Sequence, residues 1–322
     1  MRSQPQQVLT TVAQWLSQGQ RVWLCTIVET WGSSPRPAGS WLALNAAGDW
    51  VGSVSGGCLE EDLILRCVEQ QPDQVQLIDY GVSDSDRDTF QLPCGGRIRL
   101  LLEPMGQASH GTHVSRLLAA LERREAVARD VCLQTGEFGM RRPEAVSKTV
   151  QISAERLVHA LSPHCQLLLV GVGEVAHYVA EFALAADFEV SLCEPRETFA
   201  RGWRNEGVPL LRALPDDLVM SRFGDGWCGI LALAHDPRVD DLALMAALRS
   251  DAFYVGAMGS ARTSAARRQR LASLGMTDAE LERLQAPIGL PLPSKTPAEI
   301  AIAIVADLIR ARHDLLVPST PL

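Results

Sequence analysis

The run QLLLVGVGEVA at residues 166–176 constrains the fold of this chain more than any other segment. A continuous apolar stretch ending in glycine is the pattern of a strand buried on both faces. Gly171, Gly173 and Ala176 then stand at the spacing G-x-G-x-x-G/A that carries such a strand into a helix. The glycines permit a tight turn and let a pyrophosphate approach the positive end of that helix. FEVSLCE follows and closes on Glu194 about 20 residues later, where a carboxylate can accept hydrogen bonds from ribose hydroxyls. CGILALAH and AFYVGAM repeat the strand pattern, each passing into a helix. Strands alternating with helices make a parallel sheet covered on both faces. The predicted fold class is therefore α/β, with residues 161–322 as a Rossmann-like, doubly wound parallel-sheet domain.

In that topology ligands lie at the carboxyl ends of the strands. His235 and Asp236 end the third strand and Gly259 and Ser260 the fourth, so all four are candidate ligand contacts. Arg196 can meet a phosphate or pair with Glu197. Ser260 and Arg262 lie beside the first amides of a helix and suit an anion, whereas Arg267, Arg268 and Arg270 read as a solvated basic face. Thr296-Pro297-Ala298-Glu299 spells a capping box with proline at the first helical position, and Lys295 before it can point into the crevice.

The first half has a different grammar. Val8, Val12, Trp15 and Leu16 fall at helical spacing, and strand-like runs follow at RVWLCTIVET, on either side of the Ala47–Asp49 turn, at QVQLIDYGV and at RIRLLLE. LEEDLILRCVEQ reads as a helix. From Met105 the signal weakens, with a helix near His113 to Arg123, a strand near Ala126 to Gln134 and a surface loop or hairpin over Thr135 to Lys148. Residues 1–160 are predicted as an α+β domain with three glycine loops: GSSPRPAGS (32–40), SGGCLEE (55–61) and PCGG (93–96). Arg36 between two prolines suits a phosphate or carboxylate clamp. Ser55, Gly56 and Gly57 form a potential anion nest, and the helix start favours a thiolate at Cys58, opposed locally by Glu60, Glu61 and Asp62. Cys94 and Gly95 repeat the pairing of a thiol with glycine, and together the two cysteines suggest soft-ligand, sulfur or redox chemistry.

Composition narrows the function classes. At 322 residues, 47% hydrophobic and 21% charged, the chain can build about two packed cores. A net charge of −8 and a pI near 5.4 argue against a nucleic-acid or acidic-membrane binder. The start MRSQPQQVLT lacks the apolar stretch of a secretion signal and no apolar run is long enough to span a bilayer, so a cytoplasmic protein is expected. Its eight cysteines show no regular framework and read as reduced thiols, Cys25, Cys165, Cys193 and Cys228 as small core residues.

Taken in order, GSSPRPAGS, SVSGGCLEED, PCGG-x-I-x-L-x-x-EP, VGVGEVA, AHDPRVDDLAL, FYVGAMGSARTSAARRQRL and APIGLPLPSKTPAEIAIAI resemble the XdhC/CoxI family of xanthine dehydrogenase accessory proteins. The resemblance covers most of the chain apart from about Met105 to Pro163. It implies a chaperone that binds the molybdenum cofactor, as molybdopterin or its dinucleotide form, and protects it while a cysteine desulfurase supplies the sulfido ligand. Delivery to a xanthine dehydrogenase or related molybdenum hydroxylase follows. On that reading Cys58 faces the cofactor and is the candidate metal ligand, with Cys94 second. Arg36, Gly56 and Gly57 meet phosphate, and Gly171, Gly173 and Glu194 meet a nucleotide. A homodimer is left open, and no turnover of its own is expected. Three positions depart from the family pattern: Glu174 where histidine is frequent, Glu194 in place of aspartate, and Pro293 in place of glycine. Two rival readings are an NAD(P)-dependent oxidoreductase with His235 as its acid/base group, and a protein-interaction adaptor whose ligand sites are vestigial.

Overall fold

A computed structural model describes residues 4–32, 36–57, 59–81, 97–143 and 149–316. The described residues through Pro163 form one compact unit and those from His164 onward another.

The amino-terminal unit is built on a five-stranded antiparallel sheet. Its strands are β1 (Val22–Trp31), β2 (Trp41–Asn45), β3 (Trp50–Gly52), β4 (Gln76–Tyr80) and β5 (Arg97–Met105), in the order β3-β2-β1-β5-β4. β1 is central because both its faces are apolar. Trp23, Cys25 and Ile27 pack with Leu42, Leu44, Leu59 and Leu63 on one side. Val22 and Leu24 face a second core. That core also takes Val8, Leu9 and Val12 from helix α1 (Gln4–Ser17), the helix expected from the spacing at Val8 and Val12. Helix α2 (Glu60–Leu65) continues as a π turn, Arg66–Gln70, ending in left-handed Gln71 at φ 44.

Helix α3 (Ala108–Glu122) starts five residues before the position read from sequence. The two glycines of GQASHG hide its start, but the Gln107 amide donates to His110 Nδ1 at 3.2 Å and caps it. A four-stranded antiparallel sheet completes the unit: β6 (Val127–Cys132), β7 (Phe138–Arg141), β8 (Val150–Ile152) and β9 (Arg156–Leu161), in the order β7-β6-β9-β8. Of the loop and hairpin alternatives for Thr135 to Lys148, the hairpin is the one observed as far as residue 143, as β6 pairs with β7, and residues 144–148 lie outside the described residues.

In the carboxyl-terminal unit six parallel strands alternate with helices. They are β10 (Gln166–Val170), β11 (Glu189–Cys193), β12 (Leu210–Leu211), β13 (Cys228–Ala232), β14 (Tyr254–Ala257) and β15 (Leu284–Gln285). The helices are α4 (Glu174–Ala185), α5 (Glu197–Ala200), α6 (Pro215–Ser221), α7 (Pro237–Leu248), α8 (Ala261–Ser273), α9 (Asp278–Glu282) and α10 (Pro297–Leu316). The order β12-β11-β10-β13-β14-β15 is doubly wound and reverses between β10 and β13, which sets the crevice above those two strands. One face packs on α6, α7 and α8 through Val219, Leu244 and Leu271. The other packs on α4 and α10 through Val179, Ile304 and Leu308. Cys25, Cys165, Cys193 and Cys228 are buried core thiols, as their apolar neighbours foretell. Among the described residues no helix is long and apolar enough to cross a membrane.

Candidate functional site

The loop before α2 is an anion nest with an occupant from its own chain. Gly56 and Gly57 adopt φ 79 and 125, conformations that favour glycine. These turns converge polar hydrogens on the carboxylate of Glu60. Its Oε1 accepts from Ser53 Oγ at 2.7 Å and from the amides of Val54 and Ser55 at 3.0 Å. Its Oε2 accepts from the Gly57 amide at 2.9 Å and from the Ser55 hydroxyl. Burial by itself would raise this carboxyl, yet the Ser55 and Ser53 hydroxyls and the Ser55 and Val54 amides outweigh it and hold it at about 2. In this structure the nest expected at Ser55, Gly56 and Gly57 has its Ser55 and Gly57 donors engaged by Glu60, and the Gly56 amide donates to Ser53 Oγ at 3.0 Å. What the clasp fixes is the backbone on both sides of residue 58. Cys58, Cys94 and Gly95 lie outside the described residues.

Trp31 ends β1 opposite Arg97, the first residue of β5 after the PCGG segment. Its ring is 41% exposed and carries the Arg97 guanidinium at 4.6 Å and that of Arg99 at 5.8 Å. Arg99 is held by Asp79 at 2.9 Å and Glu29 at 3.4 Å, and its hydrogen bonds lower the Asp79 carboxyl. An exposed indole beside cations can stack on a flat anionic ligand. Sequence reasoning missed this platform because an aromatic at the end of an apolar strand reads as core. Its position directly before the first glycine loop was the available signal. Arg36, half-buried, follows in the same loop.

In the carboxyl-terminal unit the two fingerprint glycines have separate causes. Gly171 has φ 105, and a Cβ there would lie 2.4 Å from the Ala234 Cα, so the close approach of two loops requires glycine. Gly173 is extended and a Cβ would meet nothing within 4 Å. Packing does not demand that glycine, and the space above the α4 terminus is what a pyrophosphate needs. Glu174 adds a negative charge to the first turn of α4.

Glu194 is fully buried, and both its oxygens are engaged. Oε2 accepts from the Val172 amide at 3.1 Å and Arg196 Nη2 at 2.7 Å, and Oε1 from Arg196 Nε at 2.8 Å. Burial works to raise the carboxyl, and the Arg196 and Val172 hydrogen bonds hold it below its usual value. Arg196 also reaches Asp236 at 3.2 Å and stacks 4.0 Å from the Phe199 ring. Of the two alternatives read for Arg196, the pairing with Glu197 is not made, since Glu197 pairs with Arg201 and Arg212. A ribose could use Glu194 only after Arg196 gives way. Asp236 caps α7, and the Arg238 side chain and amide, with Arg196, hold it at about 2. His235 is exposed at φ 54, a left-handed conformation uncommon outside glycine. Ser260 caps α8, accepting from the Thr263 amide at 3.1 Å, next to Gly259.

The basic face expected on α8 is corrected. Arg267 is 4% exposed, reaching Asp240 at 3.4 Å and the Met258 carbonyl at 3.1 Å, while Asp240 also accepts from the Ala234 amide at 3.1 Å. Arg268 donates to the carbonyls of Leu281 and Leu284, and Arg270 pairs with Asp241. Arg267 with Asp240 ties together the loops that follow β13 and β14, whereas Arg268 and Arg270 fasten α8 to its neighbouring elements; sequence reasoning missed Asp240 because it sits in an ordinary helical DD pair. Arg262 is exposed, as is Lys295, whose amide donates to Glu299 at 2.8 Å in the expected capping box. Among the described residues no three histidine, cysteine or acidic side chains stand together as a metal site.

With this geometry fixed, the chain was compared with known proteins. Residues 167–308 match the XdhC Rossmann domain and residues 15–81 match the XdhC and CoxI family. It is 26% identical over 314 residues to the molybdenum cofactor insertion chaperone PaoD of Escherichia coli, covering 95% of this chain and 88% of that protein. A Bacillus subtilis protein named as a probable xanthine dehydrogenase component is 25% identical, covering 91% of this chain and 94% of the relative. The crystal structure of a xanthine dehydrogenase from Bacillus halodurans superposes with a TM-score of 0.76 at 25% identity, covering 100% of this chain and 98% of that one. Two family matches that take in the Glu60 clasp and the Gly171 crevice, with likeness along nearly the whole length, place the chain in the XdhC and CoxI family.

Proposed function

We propose that this protein is a molybdenum-cofactor maturation factor that binds the cofactor as cargo and inserts it into a xanthine dehydrogenase-type hydroxylase. The observation that carries the reading is the nearly full-length likeness to a molybdenum cofactor insertion chaperone. The chemistry of the amino-terminal unit supports it. The Glu60 clasp holds Ser55 and Gly57, next in sequence to Cys58, and a thiol is a sensible soft contact for a metal dithiolene. The Trp31 platform with Arg97, together with Arg36, offers stacking and positive charge for a pterin and its phosphate. The finer steps belong to the same proposal: protection of the cofactor while a cysteine desulfurase sulfurates it, and action in the cytoplasm. A nucleotide is assigned to the crevice at Gly173, with Arg196 leaving Glu194 as it enters.

Protein purified anaerobically from a host that makes the cofactor is expected to carry near-stoichiometric molybdenum and a fluorescent oxidised pterin. Cys58→Ser should lower retained molybdenum at least about tenfold with little change in unfolding midpoint. Wild-type protein that takes up neither metal nor pterin, even when free cofactor is added, would overturn the reading. In that case the strained, exposed His235 makes the nicotinamide enzyme the next candidate, tested by stoichiometric NADH binding with turnover of a small carbonyl.

A further inference from the structure

Helix α10 is apolar on nearly every side. From Ala298 to Ile309 its charged side chains are Glu299 and Asp307, and Asp307 is buried, accepting from the Tyr254 hydroxyl at 2.7 Å and from Arg310 at 2.6 Å. A helix of that composition belongs in an enclosed place. Its inner face is enclosed, since Ala301, Ile304, Val305 and Leu308 join Val179 and Ala183 of α4 in the core. Its outer face is open: Ile302 is 52% exposed and Ile309 43%, with Ala306 half-buried between them. Isoleucine loses rotamer freedom in a helix, so two of them facing solvent bring no local gain. An open apolar strip with polar residues at its ends marks a contact surface.

The order of residues along the strip selects the occupant. Glu299, Ile302, Ala306, Ile309 and His313 stand three, four, three and four residues apart, each exposed or half-buried, and so form one seam. The seam is self-complementary. Turned end for end about Ala306, a second α10 lays its Ile309 beside Ile302 and its His313 beside Glu299, to within one residue of register, and the two-fold axis repeats both contacts. The small side chain of Ala306 then sits where the two helices come closest. Glu299 accepts the Lys295 and Thr296 amides through Oε2, which leaves Oε1 for the imidazole N–H of the other copy. A parallel pairing would instead set Glu299 against Glu299, which like charge disfavours.

We propose that the outer face of α10 is a homodimer interface, the helices of two copies packing antiparallel about Ala306. One helix pair covers less than the roughly 800 Å² per partner of a standard interface, so the dimer is weak, with a Kd on the order of 10 µM. The pairing is independent of the cofactor and stands or falls apart from the maturation role.

Sedimentation velocity of the full chain from about 1 to about 300 µM should follow a monomer passing into a dimer. Ile309→Glu should weaken the dimer at least about tenfold. His313→Glu, which brings carboxylates together twice across the axis, should weaken it about fivefold or more, and His313→Lys should leave it as tight or tighter. Both positions are exposed, and far-UV circular dichroism checks that each variant is folded. A protein that stays monomeric to the top of that range, or a dimer that Ile309→Glu leaves intact, would overturn the interface. Opposite charges at 313 giving the same affinity would overturn the antiparallel register. Mass rising past two copies would overturn the closed two-fold pairing. A monomer whose binding to a purified molybdenum hydroxylase is lost in Ile309→Glu would overturn the second copy as occupant and give this face to the client.

Discussion

Gly171→Ala is expected to destabilise the carboxyl-terminal unit by about 3 kcal/mol, while Gly173→Ala, two residues along the same turn, stays within about 1 kcal/mol of wild type. The first substitution adds a Cβ 2.4 Å from the Ala234 Cα at a left-handed φ of 105, and the obstacle is backbone that cannot rotate away. The second adds a Cβ at an extended residue with nothing within 4 Å, at the small cost of alanine as a helix cap. For a unit of this size the first change lowers the unfolding midpoint by roughly 10 °C. Binding should follow the reverse order of interest. If the crevice holds a nucleotide pyrophosphate, Gly173→Ala weakens that nucleotide without unfolding the protein, because the methyl fills the cradle. Scanning fluorimetry of both variants, followed by nucleotide titration of Gly173→Ala, separates the two roles. Equal stability of the two would show that the Ala234 approach is not what fixes Gly171, and unchanged affinity in Gly173→Ala would remove the pyrophosphate from that turn.

Glu60→Gln should cost about 3 kcal/mol in the amino-terminal unit near pH 7, and the loss should shrink in acid. The carboxyl stands at about 2 in the folded chain against 4.5 for an ordinary glutamate. A group depressed on folding stabilises above its unfolded value, here above about pH 4.5, and that stability fades as pH falls toward the folded value near 2. The physical cause is convergence: the amides of Val54, Ser55 and Gly57 and the hydroxyls of Ser53 and Ser55 all donate to one side chain. A glutamine amide keeps the shape but turns an N–H₂ group toward some of those donors, leaving them buried and unpaired. Urea unfolding of wild type and variant at pH 7 and pH 3 measures the gap. A gap independent of pH would mean that the clasp acts through shape and not charge. On the proposed function the variant should also lose molybdenum, since the loop that presents Cys58 is then unfastened.

Much of the fold was legible because its causes are local. The apolar runs that end in Val170, Ala232 and Ala257 alternate with helical patterns, and that alternation by itself specifies a parallel doubly wound sheet. The capping box at Thr296–Glu299 and the spacing of Val8 and Val12 are likewise set by neighbours a turn away. The α3 start was obscured because its cap, Gln107 with His110, uses residues with weak capping preference amid glycines.

The sites divide along the same line. Sequence alone determined where glycine would bend the chain and which strand ends would meet at the crevice, because dihedral preference and strand polarity are properties of short segments. Tertiary structure decided which charge meets which. Glu60 folds back into the nest ahead of it, Arg196 spans Glu194 and Asp236 across 40 residues, Arg267 buries itself on Asp240, and Glu103 finds Arg129 on another sheet. Long side chains can serve solvent, substrate or one another with nearly equal local ease. The choice is made by burial, since a charge removed from water must take the partner that packing brings within reach.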